Sequence, residues 1–326
     1  MGQAGVGEPG MALVDACSAL VTVQDGGRRG LAHMGVPRAG AADLDALSLA
    51  NRLVGSSPHA PALEVGPGTV ALRLRSDAVL ALAGAPRVVD LDGRPVPPGV
   101  SVAAEAGSVL SVGPLRGGMW TYVALGGGVV CEPLLGSCSA DTLSGLGPHP
   151  LAAGHAVHFG GGGTPGLWAS REAPGLCSAR PGSAAVTVRM TPGPHASLLG
   201  RAAAAAFASG SWEVGAGSDR TGLRLLGPAL PLAQEARSGS LAAVGMVAGA
   251  IQVTPAGLPI VLGCNHGATG GYPVLAVIWL ADLGLAFQSP PGSRLLFCWT
   301  TTEAARSELH RRVAARDVLR IGALRR

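Results

Sequence analysis

Within seven residues the sequence places one carboxylate and two guanidinium groups: Ser218-Asp219-Arg220-Thr221-Gly222-Leu223-Arg224. A guanidinium is a planar fork that suits bidentate capture of a carboxylate, a carboxyphosphate or a phosphate. On a strand, residues 220, 222 and 224 share one face. That spacing sets the two arginines side by side, with Gly222 leaving backbone room for a ligand. The plainer reading is an Asp219–Arg220 turn followed by an arginine on a solvated edge. A second stretch, Asn265-His266-Gly267-Ala268-Thr269-Gly270-Gly271-Tyr272-Pro273, joins an acid–base candidate to a glycine-rich bend. Consecutive glycines can turn backbone N–H groups toward an anion, and His266 is of the residue type that can serve as an acid or base near neutral pH. Tyr272 is one of two tyrosines in the chain. The same stretch also reads as a tight hairpin with a structural Tyr–Pro.

Asp25-Gly-Gly-Arg28-Arg29-Gly30 forms a third constellation with Glu64, provided the first strand abuts Leu63–Val65. Two carboxylates near an arginine can position a small polar substrate, or they can make a buried ion pair that fixes the strand. Asp25 reads as structural and Arg28 as a site residue. His155 and His158 invite a metal reading, but strand alternation sends them to opposite faces and no Cys or carboxylate completes a ligand set. No metal site is expected.

All 24 basic residues are arginine. Without lysine there is no phosphate loop of the GxxxxGK[ST] kind, no Schiff base and no covalently attached biotin. A nucleotide or biotin used by this protein is held differently or belongs to a partner chain. Residues 306–326 carry seven Arg against Glu308 and Asp317, a local +5 that leaves the rest of the chain at −1. A basic tail on a near-neutral body does not make a nucleic-acid binder. The six cysteines show no CxxC spacing, the N-terminus lacks the pattern of a signal peptide, and no apolar run approaches ~18 residues. These features lead one to expect a reduced, soluble, cytoplasmic chain without membrane or nucleic-acid partners.

Short strands and turns must position these residues. Residues 1–11 read as a loose leader. Alternation begins at Ala19 and stops at Asp25-Gly-Gly; a helix runs from Asp43 to Val54; strands follow at 69–75, 78–82, 88–91, 108–112 and 120–125. The segment from Gly160 to Gly182 is the linker candidate. Beyond it the pattern predicts strands at 186–190, 223–226, 250–254, 259–262, 274–280 and 294–299. Helices are predicted at 201–209 and 304–319.

Six motifs in one order then carry a resemblance. They are Thr22-Val-Gln-Asp-Gly-Gly-Arg-Arg-Gly-Leu with Gly35-Val-Pro-Arg-Ala-Gly-Ala-Ala-Asp, Leu49-Ala-Asn-Arg-Leu-Val-Gly with Ala62-Leu-Glu, Leu135-Gly-Ser-Cys-Ser, Gly217-Ser-Asp-Arg-Thr-Gly-Leu-Arg-Leu, Gly249-Ala-Ile-Gln-Val and Thr269-Gly-Gly-Tyr-Pro. In these the chain resembles the family of 5-oxoprolinase C subunits. The same family is also called allophanate hydrolase subunit 2 or biotin-dependent carboxyltransferase. The resemblance implies a mainly β (α+β) chain of two β-rich domains, the C-terminal one a cyclophilin-like β-barrel. The expected boundaries are 12–182, 183–305 and an Arg-rich helix or tail at 306–326.

The resemblance also implies a subunit, inactive alone, of a complex that opens 5-oxoproline to glutamate with ATP. Its partners would be an inhibitor-like B-type subunit and an A-type subunit, and its substrate a small-molecule amide. ATP is then a cofactor of the complex. The alternatives are the carboxyltransferase component of a biotin-dependent urea or amide carboxylase, and a non-catalytic regulatory subunit. The last is suggested by Asn265 standing where relatives commonly have Asp. Residue chemistry and resemblance together give His266, Asp219 and Tyr272 catalytic roles. Arg220, Arg224, Gln252, Asn265, Thr269, Gly270, Gly271, Arg28 and Glu64 are expected to bind substrate.

Overall fold

The 51 Gly and 25 Pro cut the chain into short runs in which Val and Leu recur, a pattern that builds strands joined by turns. The computed structural model describes residues 9–162, 185–232, 234–237 and 241–323. The chain divides into two compact units. The first comprises Met1–Arg28 and Asp43–Pro181; the second comprises Arg29–Ala42 and Gly182–Arg326. From residue 163 onward the expected glycine-rich linker lies outside the described residues.

The first unit contains β1 (Gly10–Cys17), β2 (Val21–Gln24), α1 (Leu44–Leu53), β3 (Ala62–Val65), β4 (Val70–Leu74), β5 (Ala78–Gly84), β6 (Arg87–Leu91), β7 (Arg94–Pro95), β8 (Ser101–Ala104), β9 (Val109–Leu115), β10 (Thr121–Leu125) and β11 (Ala156–Phe159). Two antiparallel sheets, ordered β11-β1-β4-β9-β6-β7 and β2-β3-β10-β5-β8, contribute to one buried cluster that includes Val14, Leu72 and Leu110 with Leu63, Leu80 and Val123. Strand β1 starts inside the stretch expected to be a loose leader. Its buried positions, Gly10, Ala12 and Val14, are small, so the alternation is faint in the sequence. Helix α1 starts where expected because Asp43 caps it, accepting from the amides of Asp45 (3.2 Å) and Ala46 (3.0 Å).

Arg87 ties the two sheets of this unit together. From β6 its guanidinium donates to the Gly113 carbonyl in β9 (2.9 Å), to Gly68 (2.7 Å), to Val65 at the end of β3 (3.0 Å), to Gly66, and to Thr121 Oγ1 at the start of β10 (2.9 Å). Burial lowers its pKa to about 10, which leaves it charged at neutral pH.

The second unit contains β12 (Val186–Pro192), α2 (Ala196–Ser209), β13 (Trp212–Val214), β14 (Gly222–Leu226), α3 (Gln234–Arg237), β15 (Val244–Gly245), β16 (Ala250–Val253), β17 (Pro259–Leu262), β18 (Thr269–Gly270), β19 (Val274–Ile278), α4 (Leu280–Phe287), β20 (Arg294–Trp299) and α5 (Thr302–Ala323). Seven strands close a barrel in the order β12-β19-β16-β17-β14-β13-β20, the parallel β12–β20 pair completing the ring. Val188, Leu225, Ile251, Val261, Leu275 and Leu295 are buried within it. Phe207 of α2 stacks against Phe297 and Trp212, with ring centroids 4.6 and 5.2 Å apart.

Two expectations change here. The apolar run from Val274 reads as one strand to 280, but the chain turns at Trp279 into α4. The glycine-rich stretch 265–273 is not a tight hairpin, because β17 and β19 each pair with β16 rather than with one another. The excursion between them forms a small ribbon of its own, β18 pairing with β15.

An ionic cluster fastens α5. Arg189 makes a bidentate pair with Asp282 (2.7 and 2.6 Å) and lies 4.3 Å over the Trp279 ring. Glu308 accepts from Arg311 (2.8 Å) and Arg312 (3.0 Å), while Arg312 also donates to the Ala281 carbonyl (2.6 Å). No described helix is long and apolar enough to cross a membrane.

Two measurements check this description. Arg87→Met leaves buried carbonyls without donors and should cost about 3–5 kcal/mol in urea unfolding; a loss below about 1 kcal/mol would show that the sheets hold together without it. The hydrogen bond from Arg311, reinforced by Arg312, lowers the pKa of Glu308 to about 2 against the burial that opposes it. A depressed carboxylate stabilises fully above its unfolded value and loses that contribution as pH falls through the folded one. The α5 attachment should therefore weaken between about pH 4.5 and 2. In Glu308→Gln that acid-dependent component of the circular dichroism should disappear.

Candidate functional site

The site grows from a turn that departs from the first unit and folds with the second. Residues Arg29–Ala42 belong to the barrel unit. In this segment Pro37 fixes the approach, and Ala39 (φ 51°) and Gly40 (φ 95°) are both left-handed. A buried alanine in that region costs about 1–2 kcal/mol, so neighbouring contacts must hold it there. One such contact is Arg220, 2% exposed, whose Nη2 donates to the Gly40 carbonyl (2.6 Å) and to Asn265 Oδ1 (3.1 Å). Arg220 thus ties the turn to the barrel.

That turn carries Arg38. Its guanidinium is half-buried and has no hydrogen-bond acceptor or carboxylate partner among the described residues. Burial pushes its pKa down, the Arg29 charge pushes it further, and a negative charge on Cys264 would oppose both. Cys264 also acts on Arg220, whose pKa burial likewise lowers. Arg38 and Arg220 therefore both bring positive charge to the neighbourhood of Cys264, and Arg29 adds its charge at Arg38, an arrangement that favours an anion.

Backbone pairing sets the opposite wall. The Gly263 amide donates to the Thr221 carbonyl (2.8 Å) and the Asn265 amide to the Arg220 carbonyl (3.1 Å), carrying the β14–β17 ladder past both strands. A side chain at 263 would run into the Arg220 carbonyl and the Phe287 ring, so the approach needs glycine. His266 follows, buried, with Nδ1 2.7 Å from the Gly267 carbonyl. A carbonyl accepts, so Nδ1 carries the hydrogen and Nε2 is the basic nitrogen.

The other expected residues are placed as follows. Strand β14 begins only at Gly222, so alternation does not reach Arg220, and the two arginines do not share a strand face. Arg224 is exposed, its Nε on the Gly217 carbonyl (3.2 Å). Asp219 is also exposed and accepts from the amides of Thr221 (2.7 Å) and Gly222 (3.3 Å), which makes it the keystone of a turn. Gln252 Nε2 donates to the Tyr272 carbonyl (3.2 Å), and a side chain at Gly270 would overlap that nitrogen. Tyr272 is 42% exposed, and Thr269 is exposed on the ribbon. Gly270 and Gly271 are not left-handed, so they form no anion-binding nest of the expected kind.

Arg28 and Glu64 belong to the first unit. As anticipated, β2 lies against β3, with Thr22 opposite Glu64. Glu64 accepts from the Tyr122 hydroxyl (2.6 Å), which in turn accepts from the Asp43 amide (2.8 Å). Asp25 is structural: burial would raise its pKa, but the hydroxyls of Ser137 (2.6 Å) and Ser139 (2.5 Å) and the amides of Gly27 and Cys138 (2.8 Å each) hold it below the ordinary value. Arg28 donates from Nε to the Leu134 carbonyl (3.1 Å) and from Nη2 to that of Ser139 (2.7 Å). The cysteines depart from the reduced state expected of them, since Cys131 and Cys138 form a disulfide. A two-residue turn, Leu135–Gly136, brings them together, a geometry that spacing alone does not reveal. His155 faces the Ala152 amide (3.3 Å), and among the described residues no three His, Cys, Asp or Glu side chains converge as metal ligands.

Residues 34–299 match the carboxyltransferase domain family, subdomains A and B. The chain belongs to this family. It is 35% identical to the C subunit of 5-oxoprolinase from Escherichia coli, over 87% of this chain and 89% of that protein. It is 32% identical to the Haemophilus influenzae protein of the same name, over 85% and 87%. Among solved structures, the Kluyveromyces lactis urea amidolyase superposes with a TM-score of 0.81 at 26% identity, covering 91% of this chain and 19% of that one. TTHA0988 superposes at 0.75 with 34% identity, over 89% and 55%. In these two structures the carboxyltransferase fold is one part of a longer polypeptide.

Arg38 lies within a motif of this carboxyltransferase family, but its type and spacing alone mark no role for it, and Cys264 carries no local signal either. The usable signal was Pro-Arg-Ala-Gly, a rigid residue and a turn-former around a lone cation.

Arg220→Lys cannot reproduce the planar fork and should lose about 1.5–3 kcal/mol of stability. Arg38→Gln removes a crowded cation and should be neutral within about 0.5 kcal/mol or stabilising. A large loss from Arg38→Gln in chemical denaturation would make Arg38 a structural brace.

Proposed function

We propose that this chain is the C-type subunit of a cytoplasmic, ATP-dependent 5-oxoprolinase complex, in which Arg38 receives the substrate carboxylate and Arg220 holds the Arg38 turn in place. The resemblance to the Escherichia coli protein over nearly the full length of both chains supports the reaction. The carrying observation for the site is the half-buried Arg38 guanidinium on a left-handed turn that buried Arg220 ties to the barrel. 5-Oxoproline presents a carboxylate and a cyclic amide. Opening it to glutamate adds the oxygen of a water to the amide carbonyl carbon, breaks the C–N bond, and gives the nitrogen a proton. His266 Nε2 is the basic atom near Asn265 that can hold such a proton.

ATP serves the complex, and with no lysine this chain brings no phosphate loop. B-type and A-type subunits supply the remaining machinery. Asp219, Arg224 and Tyr272 are outer members of the site, and Gln252 with Gly270 shapes the ribbon that carries Thr269 and Gly271. A second reading, carboxyl transfer to an amide such as urea, is favoured by the urea amidolyase structure. A transferred carboxyl group is also an anion that Arg38 suits. Biotin would ride on another chain, because no lysine here can carry it.

The complex reconstituted with B- and A-type partners should hydrolyse ATP in response to 5-oxoproline only when this chain is present. Arg38→Gln should lower that turnover roughly ten- to a hundred-fold, the equivalent of one charged hydrogen bond. A complex indifferent to 5-oxoproline, yet active on urea with a biotin carrier, would transfer the conclusion to carboxyl transfer.

A further inference from the structure

The Cys131–Cys138 disulfide closes a loop whose atoms hold two buried charged residues of the first unit. Within it Leu134 and Ser137 exchange backbone hydrogen bonds (3.0 and 3.3 Å) across Leu135 (φ 54°) and Gly136 (φ 78°). A leucine in the left-handed region disfavours this turn, so the closure must be held from outside it. Three of the contacts at its base reach inward: the Leu134 carbonyl accepts from Arg28 Nε, and the Ser137 hydroxyl and Cys138 amide donate to Asp25. Arg28 is 2% exposed, and its Nη1 has no partner among the described residues. The clamp therefore fixes a buried guanidinium that still has hydrogen atoms to donate.

We propose that Cys131–Cys138 is a reversible redox modification site, opened by a dithiol, that sets the position of Arg28. The two sulfurs differ in access. Cys138 is 4% exposed, whereas Cys131 is half-buried and adjoins the exposed run 132–136. A reductant thiolate attacks Sγ of Cys131, the S–S bond breaks, and Cys138 leaves as a thiolate that takes up a proton. The second thiol of the reductant then attacks its own sulfur in the mixed disulfide and releases Cys131 as a thiol. Two electrons and two protons pass to the protein, and the dithiol becomes a cyclic disulfide. The opened turn, with Leu135 disfavoured, withdraws its carbonyl from Arg28 and its donors from Asp25. This inference does not depend on the proposed reaction.

The test uses the full chain and dithiothreitol. Free thiols are first blocked, the protein is reduced, and a second alkylating label is added. Cys131 and Cys138 should both carry the second label. Hydrogen exchange at the Cys138 amide and the Arg28 Nε–H should quicken at least tenfold on reduction and slow again on reoxidation, while the Gly263 amide of the barrel is unaffected. The double substitution Cys131→Ser/Cys138→Ser should exchange fast and ignore the reductant. If that variant does not fold, the reduced wild type still decides. Blocking of both cysteines by the first label, or exchange at Cys138 and Arg28 that reduction leaves unchanged, would overturn the proposal.

Discussion

The hydrogen bond from Arg220 to the Gly40 carbonyl is the constraint around which the candidate site is organised. It joins a residue in the turn just before a barrel strand to a segment 180 positions earlier in the chain. It is one of the contacts that hold the buried Ala39 in a conformation alanine avoids. With it, the Pro37–Gly40 turn is pinned, and Arg38 is held half out of water beside Arg29. Desolvating a cation next to another cation is unfavourable for the isolated chain. Binding an anion would relieve both the lost hydration and the repulsion.

The rest of the barrel unit serves that geometry. The extension of the β14–β17 ladder to Gly263 and Asn265 brings an amide oxygen to the other side of the same guanidinium nitrogen. Asn265 gives Arg220 a neutral acceptor. The neighbourhood consequently keeps more of its positive charge than a carboxylate at 265 would allow. The first unit follows the same principle of carbonyls around buried guanidinium groups, with Arg87 between its sheets and Arg28 against the 134–139 turn.

The β-rich architecture was legible because Val and Leu alternate between Gly and Pro breaks, and Asp43 announced its helix by its capping chemistry. Strand β1 escaped because its inward residues are glycine, alanine and valine. Helix α4 escaped because a buried apolar run has no period that separates strand from helix. The pairing of Arg220 with Arg224 failed for a topological reason: a turn closed by Asp219 intervenes before the strand begins. Arg38 was hidden for another reason. Its significance depends on a left-handed Ala39 and on a contact partner far away in sequence, and neither leaves a local mark.

The most direct test is an experimental structure of the reconstituted complex with 5-oxoproline bound. The account predicts the ligand carboxylate about 2.7–2.9 Å from the Arg38 guanidinium, with Arg220 still on the Gly40 carbonyl. A carboxylate bound elsewhere, with Arg38 turned to solvent, would contradict it.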